Sequence, residues 1–271
     1  MKNKIKRWIL CLLVLAITGF AVLNVLARNH ARAMMDFTAG GVRTGKPEAL
    51  AFADKLKVLF LAVNVPRPKG TRVPTELNAD CRTISIKCPD GVTLGAWYSS
   101  HDTGTPLVVL FHGYATEKSC LIPEGMAFRE LGLSVMLVDF RGSGDSSETY
   151  TTIGVDEAKD VAAVMQHVRA NLSHSSIILF GQSMGAVAIL RAIYAHGIKP
   201  DAVIIEAVFD TMLNTVRNRF DAMGIPSFPG AELLVFWGGK AAGFNGFAHN
   251  PVEYAGSLVC PVLVMHGADD P

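Results

Sequence analysis

Along this chain, uninterrupted apolar runs of four or five residues alternate with segments whose apolar positions recur every three or four residues. The runs lie at 107–111, 135–138, 177–180, 202–205 and 262–265. Short runs without polar alternation predict strands covered on both faces. The segments 124–131, 155–172 and 184–196 carry helical spacing, and in the second Val155, Ala158, Val161, Ala162, Met165 and Val168 form one stripe. Asp156 and Glu157 fall in its first turn, where the helix dipole favours acids. Ahead of these, 82–87 alternates, Cys88-Pro89-Asp90-Gly91 reads as a turn and 92–98 as a second strand, which together make a hairpin. Strands alternating with helices predict a mostly parallel sheet joined by right-handed crossovers.

The N-terminus follows another pattern. Lys2, Lys4, Lys6 and Arg7 precede an uncharged run over 8–27, interrupted only by the mildly polar Thr18 and Asn24. About 20 apolar residues cross a bilayer, whereas the core of a secretory signal usually has about 7–15. More positive charge precedes the run than follows it at Arg28 and Arg32, so the N-terminus is expected in the cytoplasm and the domain outside. A signal peptide cleaved after Ala27 or Ala33 is the alternative; the nearby arginines and the length of the run favour an uncleaved anchor.

Residues 28–47 have no clear period and read as a linker. Phe52, Leu56, Leu59, Phe60 and Val63 share a helical face over 48–63, and Asn64-Val65-Pro66-Arg67-Pro68 ends that helix. Residues 64–80 then read as an extended connector. The expected organisation is therefore an anchor or signal at 1–27, a linker with one helix at 28–80, and a catalytic-sized domain at 81–271. Between Phe209 and Asn250 the rhythm breaks into glycine, Met and aromatics, Phe228, Phe236, Trp237, Phe244 and Phe247 among them. Either a lid-like insertion over about 210–250 or a crossover helix with irregular flanks fits that stretch.

Hydrophobic residues make up 50% of the 271 positions and charged ones 18%, with a mean hydropathy of +0.31, which suits a domain carrying a membrane segment. A net charge of +1 and the lack of a basic patch interleaved with aromatics argue against nucleic acid. Five cysteines do not form a disulfide framework. Cys11 lies in the apolar run, and Cys260 opens a strand as a small hydrophobe. Cys81 and Cys88 flank one strand, which holds them about 23 Å apart against a bridging limit of roughly 7 Å. No C-x-x-C or histidine cluster has zinc spacing.

The candidate chemistry centres on Gly181-Gln182-Ser183-Met184-Gly185, between the run at 177–180 and the apolar helix that opens at 184. A buried strand, a sharp turn between two glycines and a helix form the context of a nucleophilic serine elbow. A bare G-x-S-x-G also arises by chance, and the rival reading is a glycine-rich turn with an ordinary serine. The flanking strand and helix favour the nucleophile.

Three further motifs follow the order of a known family: His112-Gly113-Tyr114 after the third strand, Asp139-Phe140-Arg141-Gly142-Ser143-Gly144 after the fourth, and His266-Gly267-Ala268-Asp269-Asp270 after a late strand. On these residues 81–271 resemble the α/β-hydrolase superfamily, in the branch of esterases, monoacylglycerol-lipase-like and serine-aminopeptidase-like enzymes. The resemblance implies an α/β-hydrolase fold, a mostly parallel sheet with helices on both faces, and a triad in the order Ser, acid, His. It implies Ser183 as nucleophile and Asp270 as acid, with Asp269 the near alternative and Glu206 or Asp210 a second one. It places the oxyanion donors on the backbone N–H groups of Met184 and Tyr114, and gives His112, Asp139 and Arg141 supporting roles. No G-x-G-x-x-G accompanies the turn at 139–144, so no dinucleotide is expected there. The resemblance implies a small acyl substrate and no metal or organic cofactor.

One departure stands out. None of the eight histidines follows Asp270, and His249 lies in the irregular stretch, from which its use as a base would demand an unusual geometry. The expectation is a sequence cut short of its last strand, helices and catalytic histidine. As it stands it should keep only the residual roughly 10³–10⁴-fold catalysis of an incomplete triad, with an apolar strand edge left at Met265. An amidase or peptidase on the same machinery is the nearest enzymatic alternative, and a non-catalytic anchored binding module is the alternative of another class. Dehalogenase chemistry is disfavoured, because it needs a carboxylate where Ser183 stands.

Overall fold

The computed structural model describes residues 2–45, 51–102 and 104–268, which fall into two compact units. The larger unit comprises 35–42, 65–211 and the chain from 249 onward. Its centre is a seven-stranded sheet in the order β1-β2-β4-β3-β5-β6-β7. The strands are β1 (Arg82–Lys87), β2 (Thr93–Ser99), β3 (Leu107–Phe111), β4 (Ser134–Val138), β5 (Ile177–Gln182), β6 (Ala202–Glu206) and β7 (Val262–Met265). β2 pairs antiparallel with β1 and β4, and every other pairing is parallel. The β1–β2 turn is closed by Cys88 N–H donating to the Val92 carbonyl at 2.8 Å.

The continuous apolar runs follow from the two covered faces. Val109, Phe111, Met136, Val138 and Leu179 face one core with α4 (Glu157–Asn171) and α5 (Met184–His196). Their neighbours Val108, Leu110, Val135, Leu137 and Phe180 face the other, with Leu121 and Ile122 at the start of α3 (Ile122–Glu130). The stripe read from sequence on α4 is buried apart from the half-buried Ala162. β7 differs, since all four of its residues are 38–61% exposed. A short helix (Pro251–Ala255) packs against α5 in the same unit.

The second unit comprises the chain up to Met34 together with 43–64 and 212–248. Its α1 (Lys2–Met35) does not stop at Ala27. The helix runs on through the first part of the expected linker, because Ala27 and Ala31, one turn apart, bury a narrow stripe between the polar residues Arg28, His30 and Arg32. Residues 3–23 of the same helix are exposed on every side. α2 (Phe52–Leu61) falls within the helix expected over 48–63, whose residues 48–50 lie outside the described residues. The irregular stretch holds two packed helices, α6 (Met212–Met223) and α7 (Gly230–Ala241), joined by an Arg217–Glu232 ion pair at 2.6 Å. It is therefore more than a single crossover helix.

Leu110 is fully buried at the centre of the sheet. We expect Leu110→Ala to lower the unfolding free energy by about 2–5 kcal/mol, read from urea melts.

Candidate active site

Ser183 stands at the carboxyl end of β5 with φ +51° and ψ −112°, between the strand and the first residue of α5. A serine at positive φ is strained by about 1–3 kcal/mol and persists only where its surroundings fix it. The two flanking glycines show how. A Cβ on Gly185 would lie 2.3 Å from the Phe111 carbonyl oxygen, and one on Gly181 would lie 2.5 Å from the Ala186 nitrogen. Only glycine lets the start of α5 come this close to β3 and β5. Ser183 N–H donates to the Glu206 carbonyl at 2.7 Å, which ties the turn to the end of β6. The side chain remains half-buried at the end of the parallel strands.

The loop after β3 runs alongside. A Cβ on Gly113 would sit 3.7 Å from Ser183 Cβ and 3.6 Å from the Gln182 carbonyl oxygen. Tyr114 is the next residue, its ring 6.5 Å from that of Phe37. Met184 opens α5, and the first N–H groups of a helix have no acceptor within it. Its sulfur lies 3.5 Å from the Thr151 hydroxyl oxygen. The structure thus brings Ser183, Met184 and the Gly113–Tyr114 backbone to one place.

Buried polar groups hold these loops. Phe140 N–H donates to His112 Nε2 at 3.1 Å, and His112 Nδ1 donates to the Gly113 carbonyl at 2.8 Å, joining the β3 and β4 loops. The bond accepted at Nε2 needs a neutral ring, and full burial lowers its pKa, against the pull of Asp139. The Asp139 carboxylate accepts from Lys118 Nζ at 2.6 Å and from the N–H groups of Lys118 and Asp145, each at 2.8 Å. Burial opposes the Lys118 charge, but Asp139 and Asp145 outweigh it and raise its pKa. Arg141 is bonded to Asp160 at 2.6 Å and to Asp90 at 3.0 Å. His112, Asp139 and Arg141 are all inaccessible and committed to neighbours, which suits support.

Sequence reasoning missed Glu157. It stands in the first turn of α4 as expected, but it is also fully buried, accepting from the Thr151 and Thr152 hydroxyls and the Thr152 and Gly154 N–H groups at 2.6–3.0 Å. That bond set fixes the loop that reaches Met184. The signal available was Thr151-Thr152 shortly before the helix start, a pair of hydroxyls with an acid at capping distance.

The family model described as Serine aminopeptidase, S33, matches residues 104–215. Among curated proteins, lysophosphatidylserine lipase ABHD12 of Rattus norvegicus is 24% identical over 79% of this chain and 59% of its own. The same lipase from Danio rerio is 26% identical over 64% of this chain and 46% of its own. An uncharacterized protein of Mycobacterium tuberculosis is 29% identical over 70% of this chain and 62% of its own. The chain thus spans 46–62% of the length of these relatives. The esterase Pf2001 of Pyrococcus furiosus superimposes with a TM-score of 0.62 at 23% identity, over 74% of this chain and 75% of that one. This protein has the α/β-hydrolase fold.

The acids and histidines expected from the sequence fall in different places. Asp270 and Asp269 lie outside the described residues. Of the alternative acids, Glu206 pairs with Gln182 across the β5–β6 register and accepts from its amide at 3.5 Å, while Asp210 is exposed and receives the Thr211 N–H at 2.5 Å. His249 is buried and engaged at both nitrogens: the Tyr254 hydroxyl lies 3.1 Å from Nδ1, and Nε2 donates to the Ile153 carbonyl at 2.9 Å. Arg191 in turn donates to the Tyr254 oxygen at 2.7 Å, which orients the hydroxyl proton toward His249. Burial, opposed by the Ile153 bond and aided by Arg191, brings the His249 pKa down to about 4. His266 follows β7 at the same end of the sheet as Ser183, two strands away.

Two outcomes follow. Gly185→Ala should cost about 1–3 kcal/mol or more in urea melts, because the added methyl overlaps the Phe111 carbonyl. Acid should also weaken the fold through His249. Its folded pKa is depressed, so the unfolded chain takes up the proton first. Stability is then level above pH 6.5 and falls as the pH drops from there toward 4, by on the order of 3 kcal/mol. His112 acts with the same sign. Urea melts at pH 7 and pH 4.5 should show the fall, and His249→Gln should shrink it without removing the His112 share.

Proposed function

We propose that this chain is a membrane-anchored serine hydrolase that cleaves carboxylic esters or related acyl compounds through an acyl-enzyme on Ser183. The observation that carries the reading is the strained backbone of Ser183 between two obligatory glycines, with the Gly113–Tyr114 loop alongside. Both features support the reading of a nucleophile elbow beside an oxyanion loop. A serine hydroxyl is a weak nucleophile, so it needs a base and an orienting acid. In this reading a histidine C-terminal to Asp270 takes the Ser183 proton, and Asp270 orients that histidine. The Ser183 oxygen attacks the ester carbonyl, and the Met184 and Tyr114 N–H groups hold the oxyanion as the tetrahedral intermediate forms. The alkoxide leaves with the proton from histidine. Water, deprotonated by the same histidine, then releases the acid and restores the serine. Each oxyanion donor is worth about 10²–10³ in rate.

The lysophosphatidylserine lipases among the relatives favour an acyl lipid as substrate. The serine aminopeptidase family model favours a second reading, amide cleavage by the same groups. Comparing p-nitrophenyl esters with p-nitroanilides separates them: we expect ester turnover to dominate. A fluorophosphonate probe applied to the protein in its native membranes should label Ser183, and Ser183→Ala should abolish the label. A folded protein that takes no label would replace the enzyme with a non-catalytic binding module.

We also propose that α1 anchors the protein, with Lys2, Lys4, Lys6 and Arg7 on the cytoplasmic side. The full exposure of residues 3–23 supports this, since so long an apolar surface is stable only in lipid. Alkaline carbonate extraction should leave the protein in the membrane pellet; its release would point to a cleaved signal.

A further inference from the structure

We infer that the end of α2 and the exposed edge of α7 form an apolar collar that seats in the interfacial layer of the bilayer, where α1 leaves the membrane. The inference rests on the anchor reading above. On α1, exposure on all sides gives way to packing at Asn24, still inside the apolar run that ends at Ala27. What Asn24 holds is α7: Trp237 Nε1–H donates to Asn24 Oδ1 at 3.2 Å, and the Arg28 guanidinium lies 5.7 Å from the centre of the Trp237 ring. At about 1.5 Å of rise per residue, Asn24 is roughly 5 Å short of the end of the run. If α1 spans the bilayer, α7 therefore sits at the edge of the hydrocarbon and not in bulk water.

The side chains suit that depth. Tryptophan concentrates at membrane–water boundaries, where its ring is in apolar surroundings and its N–H finds a partner. Phe236 stacks edge-on against Trp237 at 5.2 Å, yet it is 49% exposed. About 9 Å further along α1, His30 donates to the Leu59 carbonyl at 2.9 Å and pins the end of α2. There Phe60 is 61% and Leu61 80% exposed. Groups spaced this way fall within the roughly 5–10 Å over which interfacial helices bury their apolar faces. Arg28 and Arg32 can meet lipid phosphates from the same level.

The test reconstitutes the full chain in phosphatidylcholine vesicles brominated either high on the acyl chain or near its end. Tryptophan emission is read for the wild type, Trp237→Phe, Trp8→Phe and Phe236→Trp, with acrylamide as the aqueous quencher. We expect loss of most of the Trp237 component, and of the emission added by Phe236→Trp, with shallow bromine, and protection of both from acrylamide. If the Trp8 component is lost to bromine while the Trp237 and Phe236→Trp components are not, the collar is wrong and the anchor stands. If Trp8 is untouched and the protein does not float with the vesicles, the anchor fails and the collar with it. Phe236→Trp reads the same depth by itself should Trp237→Phe not fold.

Discussion

The architecture around Ser183 depends on how closely the backbone of α5 approaches the ends of β3 and β5. That approach is set by the absence of side chains at Gly181 and Gly185, and both positions face backbone atoms that cannot move aside. The first residues of α5, Met184 to Leu190, are buried almost without exception. Their apolar contacts offset the strain at Ser183, which is local, while the packing that imposes it extends through the sheet.

Around that contact lies a second layer made of buried charge. Asp139, Glu157 and Asp160 are all inaccessible, and each accepts several hydrogen bonds from the loops at the carboxyl ends of the strands. Groups of this kind are stable only when every member is satisfied, and removal of one leaves its partners desolvated. They add geometry more than stability. Three loops that would otherwise move independently are fixed to one another by short bonds, and the Gly113–Tyr114 backbone inherits their rigidity.

The strands were legible because burial on both faces leaves an unbroken apolar run, as at 107–111 and 135–138. Ser183 was legible because a tight strand-to-helix turn demands glycine at fixed spacing. The continuation of α1 past Ala27 was not, since Ala27 and Ala31 mark its buried side ahead of Met35 and small residues carry a weak hydrophobic signal. Two helices within 212–248 were hidden for a related reason: Gly230, Gly238 and Gly239 lie in or beside α7, where composition argues for loops. The burial of Glu157 was not legible because its partners are hydroxyls and N–H groups from a loop, a pairing that no periodicity records. The acid and base of the triad are the part that sequence order alone proposes, through Asp270.

The residues flanking 211–248 meet within the sheet unit. Val252 N–H donates to the Asp210 carbonyl at 3.2 Å, the Phe209 ring lies 6.2 Å from that of His249, and His249 is locked to Ile153. A segment whose ends are already joined closes its loop at little entropic penalty, and doubling its length adds only about 0.6 kcal/mol. The scaffold therefore behaves like a socket. The chain between Asp210 and His249 can therefore change in length at small free-energy cost while the backbone around Ser183 keeps its geometry.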